Sequence, residues 1–254
     1  MKLGFTVLTK IDDWKLVQEV EKIGFDSAWF PDSQMIWSDC YSTMALAAQA
    51  TTKIRLGTGV SIPGTRIAPV TAQSIAGINQ LAPGRVFLGM GTGHTAMQVM
   101  GMKPMKLKDF EEYLRVTRAL LKGDEVDLTF NGTTRSIQFL HQDIGFYNLE
   151  DHIPIYVAAN GPKALQLAGK YGDGLISAGM VDPQLVGFSL GMVQEGADSI
   201  GRVLPGSYRK MTISNAIVLQ PGETLTDDRV IDQVGAMTTL LLHAIYEIYE
   251  RSGN

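Results

Sequence analysis

Lys53-Ile54-Arg55-Leu56-Gly57-Thr58-Gly59-Val60 is a short run of apolar and small residues that stops at a glycine pair. Pro69 to Leu81 then repeats apolar residues at helical spacing, with a proline in its first turn. Val86-Phe87-Leu88-Gly89-Met90 is apolar throughout, and Gly91-Thr92-Gly93-His94 follows it. The order is strand, helix, strand. A strand without polar alternation is one buried on both faces, as in a parallel sheet covered by helices.

The same rhythm extends outward in both directions. Lys2–Leu8, Ser27–Pro31, Ile153–Ala158, Gly174–Ala178 and Met211–Leu219 read as further strands. Helices are expected over 13–23, 39–50, 106–122, 162–171, from Pro183 onward, and over 227–249. Gly24 closes the first helix as a C′ glycine, Ser38 or Asp39 caps the second, and Asp182-Pro183 opens the one before the last strand. Between the fourth helix and the fifth strand the rhythm pauses. Val126–Phe130 and Thr134–Leu140 flank Asn131-Gly132, a two-residue hairpin signal.

Seven βα units are therefore readable over a single domain, residues 1–254. Regular alternation means an open doubly wound sheet or a closed barrel. The first strand-to-helix junction lacks Gly-x-Gly-x-x-Gly, which favours the barrel. The expected fold is an α/β barrel of the TIM (β/α)8 type, with a hairpin insertion after the fourth helix and without the last βα unit.

Composition removes several functions. The formal net charge is −4, with 22 basic and 26 acidic residues, a poor match for the phosphate backbone of nucleic acid. Apolar runs are too short to span a membrane. The first residues lack a signal-peptide pattern. Cys40 is the one cysteine, so no internal disulfide forms and a reducing cytoplasm is the simplest compartment. No His-Glu-x-x-His, Cys/His cluster or carboxylate array has metal-ligand spacing.

In such a barrel the site lies in the loops after the strands. Asn160-Gly161-Pro162 is either an anion-binding helix entry or an ordinary turn. Gly91-Thr92-Gly93 is either bare backbone for a flat ring or phosphate, or a structural turn. His94 follows it directly and suits proton transfer, or else lines the site. His141, His152 and His243 are read as non-catalytic. Asp32 either accepts from a ligand or caps a turn. Arg66 is an anion contact or a solvated loop charge. Trp29 reads as core, Trp37 as wall or core, and Cys40 as structural.

Five segments carry a wider resemblance. They are Ile54–Val60, Ala68–Gln73, Gly84–Gly93, Ile153–Pro162 and Gly172–Ile176. On these the chain resembles the luciferase-like flavin- or deazaflavin-dependent oxidoreductases, and most closely the coenzyme F420 branch with the methylenetetrahydromethanopterin reductases. The resemblance implies hydride transfer between F420 and a small organic substrate, with an FMN-dependent monooxygenase and a non-catalytic flavin-binding protein as alternatives. It implies a non-proline cis peptide at Gly59–Val60 behind the cofactor ring, and cofactor contacts at Asp32, Thr92, Gly93, Asn160 and Gly161. At the place of His94 the resemblance implies a glutamate acid, so the chain departs from the family pattern there; His94, on its position after the glycine loop, is the candidate catalytic residue. A homodimer through the early helices is implied by analogy.

Overall fold

The computed structural model describes residues 1–178 and 182–252, in two compact units. The first comprises Met1–Ala158 with Tyr171–Asp173, and the second Ala159–Lys170 with Gly174 onward. The first holds β1 (Gly4–Thr6), α1 (Trp14–Lys22), β2 (Ser27–Phe30), α2 (Cys40–Ala50), β3 (Arg55–Thr58), α3 (Ala68–Leu81), β4 (Val86–Met90), α4 (His94–Val99) and α5 (Leu107–Leu121). It continues with the antiparallel hairpin β5 (Val126–Phe130) and β6 (Thr133–Ile137), and with β7 (Ile155–Ala158). The second holds α6 (Pro162–Tyr171, to Lys170), β8 (Gly174–Ala178), α7 (Pro183–Asp198), β9 (Arg209–Ile213) and α8 (Asp228–Ser252).

Strands β1, β2, β3, β4 and β7 pair in parallel in that order, and β8 pairs with β9 in parallel. Counted over both units, seven parallel strands alternate with helices. This is an incomplete (β/α)8-type barrel with a hairpin insertion, as the sequence pattern requires. Asn131 and Gly132 both take positive φ, 50° and 76°, which is what the two-residue turn of a right-twisted hairpin demands.

Alternation along the parallel strands sorts the side chains. Phe30, Leu56, Leu88 and Ile155 are fully buried on one face. On the other face, register places Gly57 opposite both Trp29 and Phe87. A glycine there leaves room for the two rings to meet, with centroids 4.4 Å apart. Tyr156 joins them at 5.3 Å from Phe87, and its hydroxyl accepts from Arg55 Nη1 at 3.1 Å. Trp29 is thus part of the interior packing, as its place in a strand suggests.

The start of β7 is fixed by Asp173. Its carboxylate accepts from Arg118 Nη1 and Nη2 at 3.1 and 2.9 Å and from the Ile155 N–H at 3.0 Å, with His152 Nε2 at 3.5 Å. Burial alone would push this carboxyl up, but His152, Arg118 and the Ile155 N–H outweigh it and hold it well below the usual carboxylate range. A depressed folded-state pKa stabilises the fold above the unfolded value, and that stability is lost as pH falls from about 4 toward the folded value. Asp173→Asn is therefore expected to flatten the acid limb of a stability–pH curve by up to one proton, about 1.4 kcal/mol per pH unit. Urea unfolding at a series of pH values reads this; an unchanged acid slope would contradict it.

Besides shorter bounds for β1 and β6, two elements differ from the sequence reading. Gly91–His94 is not simply a loop, because α4 begins at His94, and the hairpin consequently follows the fifth helix. The last strand is Arg209–Ile213 rather than Met211–Leu219. Gly179 and Met180, which follow the sixth expected strand in the sequence, lie outside the described residues.

Candidate functional site

Three loops of the first unit converge beyond the C-terminal ends of β2, β3 and β4. The loop after β3 is pinned from both sides. Gly59 N–H donates to Phe30 O at 2.8 Å, Ser61 N–H to Gly89 O at 2.7 Å, and Gly91 N–H to Ser61 O at 3.1 Å. Between these anchors the Gly59–Val60 peptide bond is cis. Val60 lies over the end of β4 because Gly89 in the strand and Gly91 just beyond it leave room there. A Cβ on Gly91 would come within 2.9 Å of Val60 Cγ2, and one on Gly89 within 3.3 Å of Val60 Cγ1.

The loop after β4 closes over the loop after β3. Gly93 takes φ 82°, a left-handed conformation that opens α4, and a Cβ there would press on Ile62 at 3.0 Å. Ala96 and Met97 of α4 then bury against Ile62. Thr92 is half-buried, with its carbonyl taken by Met105 N–H at 3.1 Å. His94 is exposed, and its Nε2 stands 3.2 Å from Gln98 Nε2 one turn along α4.

Asp32, after β2, is the polar centre of this region. Its carboxylate accepts from Arg66 Nη1 at 3.0 and 3.2 Å, Ser61 Oγ at 3.2 Å, the Ile62 N–H at 3.3 Å and Gln34 Nε2 at 2.6 Å. Arg66 also donates to Asp39 at 2.5 Å, the residue that caps α2, and lies 4.8 Å from the Tyr41 ring centroid. The Arg66 carbonyl accepts from Tyr113 Oη at 2.9 Å. Burial would lower the guanidinium pKa, but the Asp32 carboxylate raises it, so Arg66 stays charged. Arg66 is neither a free anion contact nor a solvated charge, the two roles its sequence context allowed. Cys40 is buried beside this network; burial first, then the Asp32 charge, pushes its thiol up, so it is structural.

A model of the family described as luciferase-like monooxygenase matches residues 13–239. The chain belongs to this family. It is 38% identical over 158 residues to a 5,10-methylenetetrahydromethanopterin reductase of Methanolobus tindarius, covering 61% of this chain and 46% of that protein. It is 31% identical over 223 residues to an F420-dependent glucose-6-phosphate dehydrogenase of Kineococcus radiotolerans, covering 83% and 65%. A solved F420-dependent secondary alcohol dehydrogenase, in complex with an F420-acetone adduct, matches at TM-score 0.69 and 26% identity, over 83% of this chain and 68% of that one. The monooxygenase RslO1 from Streptomyces bottropensis shares the fold at TM-score 0.72 and 16% identity, over 98% and 79%. The chain spans about half the length of the curated relatives it matches.

Within this family frame, the structure brings Asp32, Gly59, Val60, Thr92, Gly93 and His94 together in the first unit. Asn160 and Gly161 belong to the second. There, Asn160 Oδ1 accepts from Ser177 Oγ at 3.0 Å and Ala178 N–H at 3.2 Å, tying the end of β8 to the start of α6. Gly161 O accepts the Leu165 N–H of α6 at 2.9 Å, so the glycine sits at the helix entrance, where N–H groups point outward. Sequence reasoning passed over Gln34. The signal was its place two residues after Asp32, inside the same loop. Among the described residues no cluster of His, Cys, Asp and Glu is arranged to hold a metal ion, and no helix is long and apolar enough to cross a membrane.

Proposed function

We propose that the chain is an oxidoreductase module that holds coenzyme F420 and passes a hydride between it and a small organic substrate. The observation that carries this is the pinned Gly59–Val60 segment over Gly89 and Gly91, with an orphaned buried acceptor on Gln34, which Asp32 links to the same loop. The F420-dependent relatives and the F420-bound structural match support it. The residues fit the group: bare backbone suits a flat ring, and a buried unpaired acceptor needs a donor from outside the chain.

When bound, F420 would supply a two-electron carrier that gives or takes a hydride at C5 of its deazaflavin ring. The chain's own contribution is positioning and proton handling. Val60 would back the ring, Gly93 and Thr92 would border it, and Thr92 would offer a hydroxyl. Asp32 holds the loop that presents these groups. Asn160 and Gly161, at the entrance of α6, are the proposed phosphate contacts. His94 Nε2 is the proposed proton-carrying atom. Residues 1–254 act as one functional module in this reading, as a cytoplasmic homodimer.

A fluorescence titration with F420 and with FMN tests the reading. Micromolar F420 binding with weak FMN binding is expected. His94→Ala is then expected to lower kcat by about 10²–10⁴-fold while the F420 Kd stays within a few fold. Preference for FMN, with oxygen uptake on reduction, would move the chain to the monooxygenases. Binding without turnover on any substrate would make it a flavin-binding protein, and binding of neither cofactor would sink the proposal.

A further inference from the structure

We infer that Gln34 is the residue that hands a hydrogen-bond acceptor to a ring N–H of the bound cofactor, and that Asp32 is the positioning residue behind it. The inference rests on the F420 reading and deepens it. It starts from the saturation of Asp32. A carboxylate has about four lone-pair sites. The Asp32 side chain, 2% exposed, is met by the Arg66 guanidinium, Ser61 Oγ, the Ile62 N–H and Gln34 Nε2. Nothing is left on it for a ligand. The resemblance makes Asp32 a cofactor contact, and the geometry moves that contact one residue outward.

The Asp32 charge also fixes which way the Gln34 amide faces. Nε2 donates to Asp32 Oδ1 at 2.6 Å. Turning the amide over would set its carbonyl oxygen against the carboxylate, lone pair to lone pair. So Oε1 is the atom that points away, and it is buried with no hydrogen-bond partner among the described residues. A buried acceptor without a partner is rare and calls for a specific reason. A ligand donor satisfies it.

The chemistry of an acceptor narrows that donor. A phosphate or carboxylate carries only acceptors at neutral pH, so the charged groups of the cofactor are excluded, and an N–H or O–H must be the donor. The imide N–H of the pyrimidine-dione ring is a donor in a flat, apolar frame. Gln34 lies beside Ser61 and Ile62 through Asp32, and those residues directly follow Val60. On this linkage we assign the acceptor to the ring end of the proposed site.

The experiment compares the wild-type chain with Gln34→Met, which keeps the volume and removes the amide. Two probes are titrated by fluorescence: F420, and 8-hydroxy-5-deazariboflavin, the same ring without phosphate or tail. Apoprotein Tm is measured alongside. The expected result is about tenfold weaker binding of both probes by the same factor, with the apo Tm lowered by no more than about 12 °C, the cost of one hydrogen bond to the Asp32 carboxylate. Unchanged affinity for both probes would overturn the inference. So would loss of F420 binding alone, which would place Gln34 at the tail. A large drop in apo Tm would also overturn it, since it would make Gln34 a structural residue. If the wild-type chain binds neither probe, the F420 reading itself fails and the inference falls with it, an outcome visible before any variant is made.

Discussion

Arg66→Met is expected to lower folding stability by about 3–5 kcal/mol, the range for removing one partner of a buried ion pair. The Arg66 side chain is 18% exposed and that of Asp32 2%, so water cannot take over the lost contacts. An uncompensated carboxylate would remain beneath the loop that carries Val60. The loss is compounded because the same guanidinium reaches the Asp39 cap of α2 and covers Tyr41. Methionine fills the stem volume, so the effect reports charge rather than a cavity. Adding Asp32→Asn in the Arg66→Met background removes the stranded charge and is expected to recover part of the loss. Urea midpoints of the two single variants and the double variant give the coupling. A loss under about 1 kcal/mol for Arg66→Met would show that the pair behaves as an exposed one.

That pair also marks the boundary of what the sequence discloses. Local patterns are strong where one residue type has one physical use. Asn131-Gly132 specifies a hairpin turn, and Asp182-Pro183 specifies a helix start whose side chain accepts from Gln184 and Leu185 N–H. The apolar runs at 86–90 and 174–178 locate their strands to the residue. Asp32 and Arg66 are 34 positions apart, and each alone reads as a loop residue with two uses. Only the parallel pairing of β2 with β3 brings them together.

Short elements and edges are the other blind spot. Helix α4 has only 6 residues, fewer than two turns, and begins at a left-handed glycine, so its periodicity is too brief to register, and packing of Ala96 and Met97 on Ile62 supports it instead. The β9 reading failed because its apolar tail, through Leu219, looked like the strand, whereas the pairing residues include the charged Arg209 and Lys210. Gln34 is invisible for a further reason. Its significance lies in an unpaired atom, and no residue type announces that.

Gly89→Ala is expected to destabilise the chain by about 3 kcal/mol or more, at or above the usual range for overpacking. The obstacle is backbone, because the added methyl would overlap the Thr58 carbonyl oxygen on β3. A side chain could rotate away; a strand carbonyl cannot without parting β3 from β4. The Gly89 carbonyl itself accepts from Ser61 N–H and Thr58 Oγ1, both at 2.7 Å, so any shift also loosens the anchor of the Val60 segment. The same chemical change at Gly77 serves as the control. Gly77 lies in α3 with no atom within 4 Å of an added Cβ, so Gly77→Ala is expected to stabilise by about 0.5–1 kcal/mol through helix propensity. Opposite signs from one added methyl would tie the cost at Gly89 to strand contact and not to glycine's freedom. Urea unfolding of the two variants measures both, and a Gly89→Ala midpoint equal to wild type would refute the close contact. The cofactor titration carries the argument into function. Gly89→Ala protein that still folds is expected to bind F420 at least tenfold more weakly, because the Val60 segment, the proposed support of the ring, is held in place by the strand that the methyl displaces.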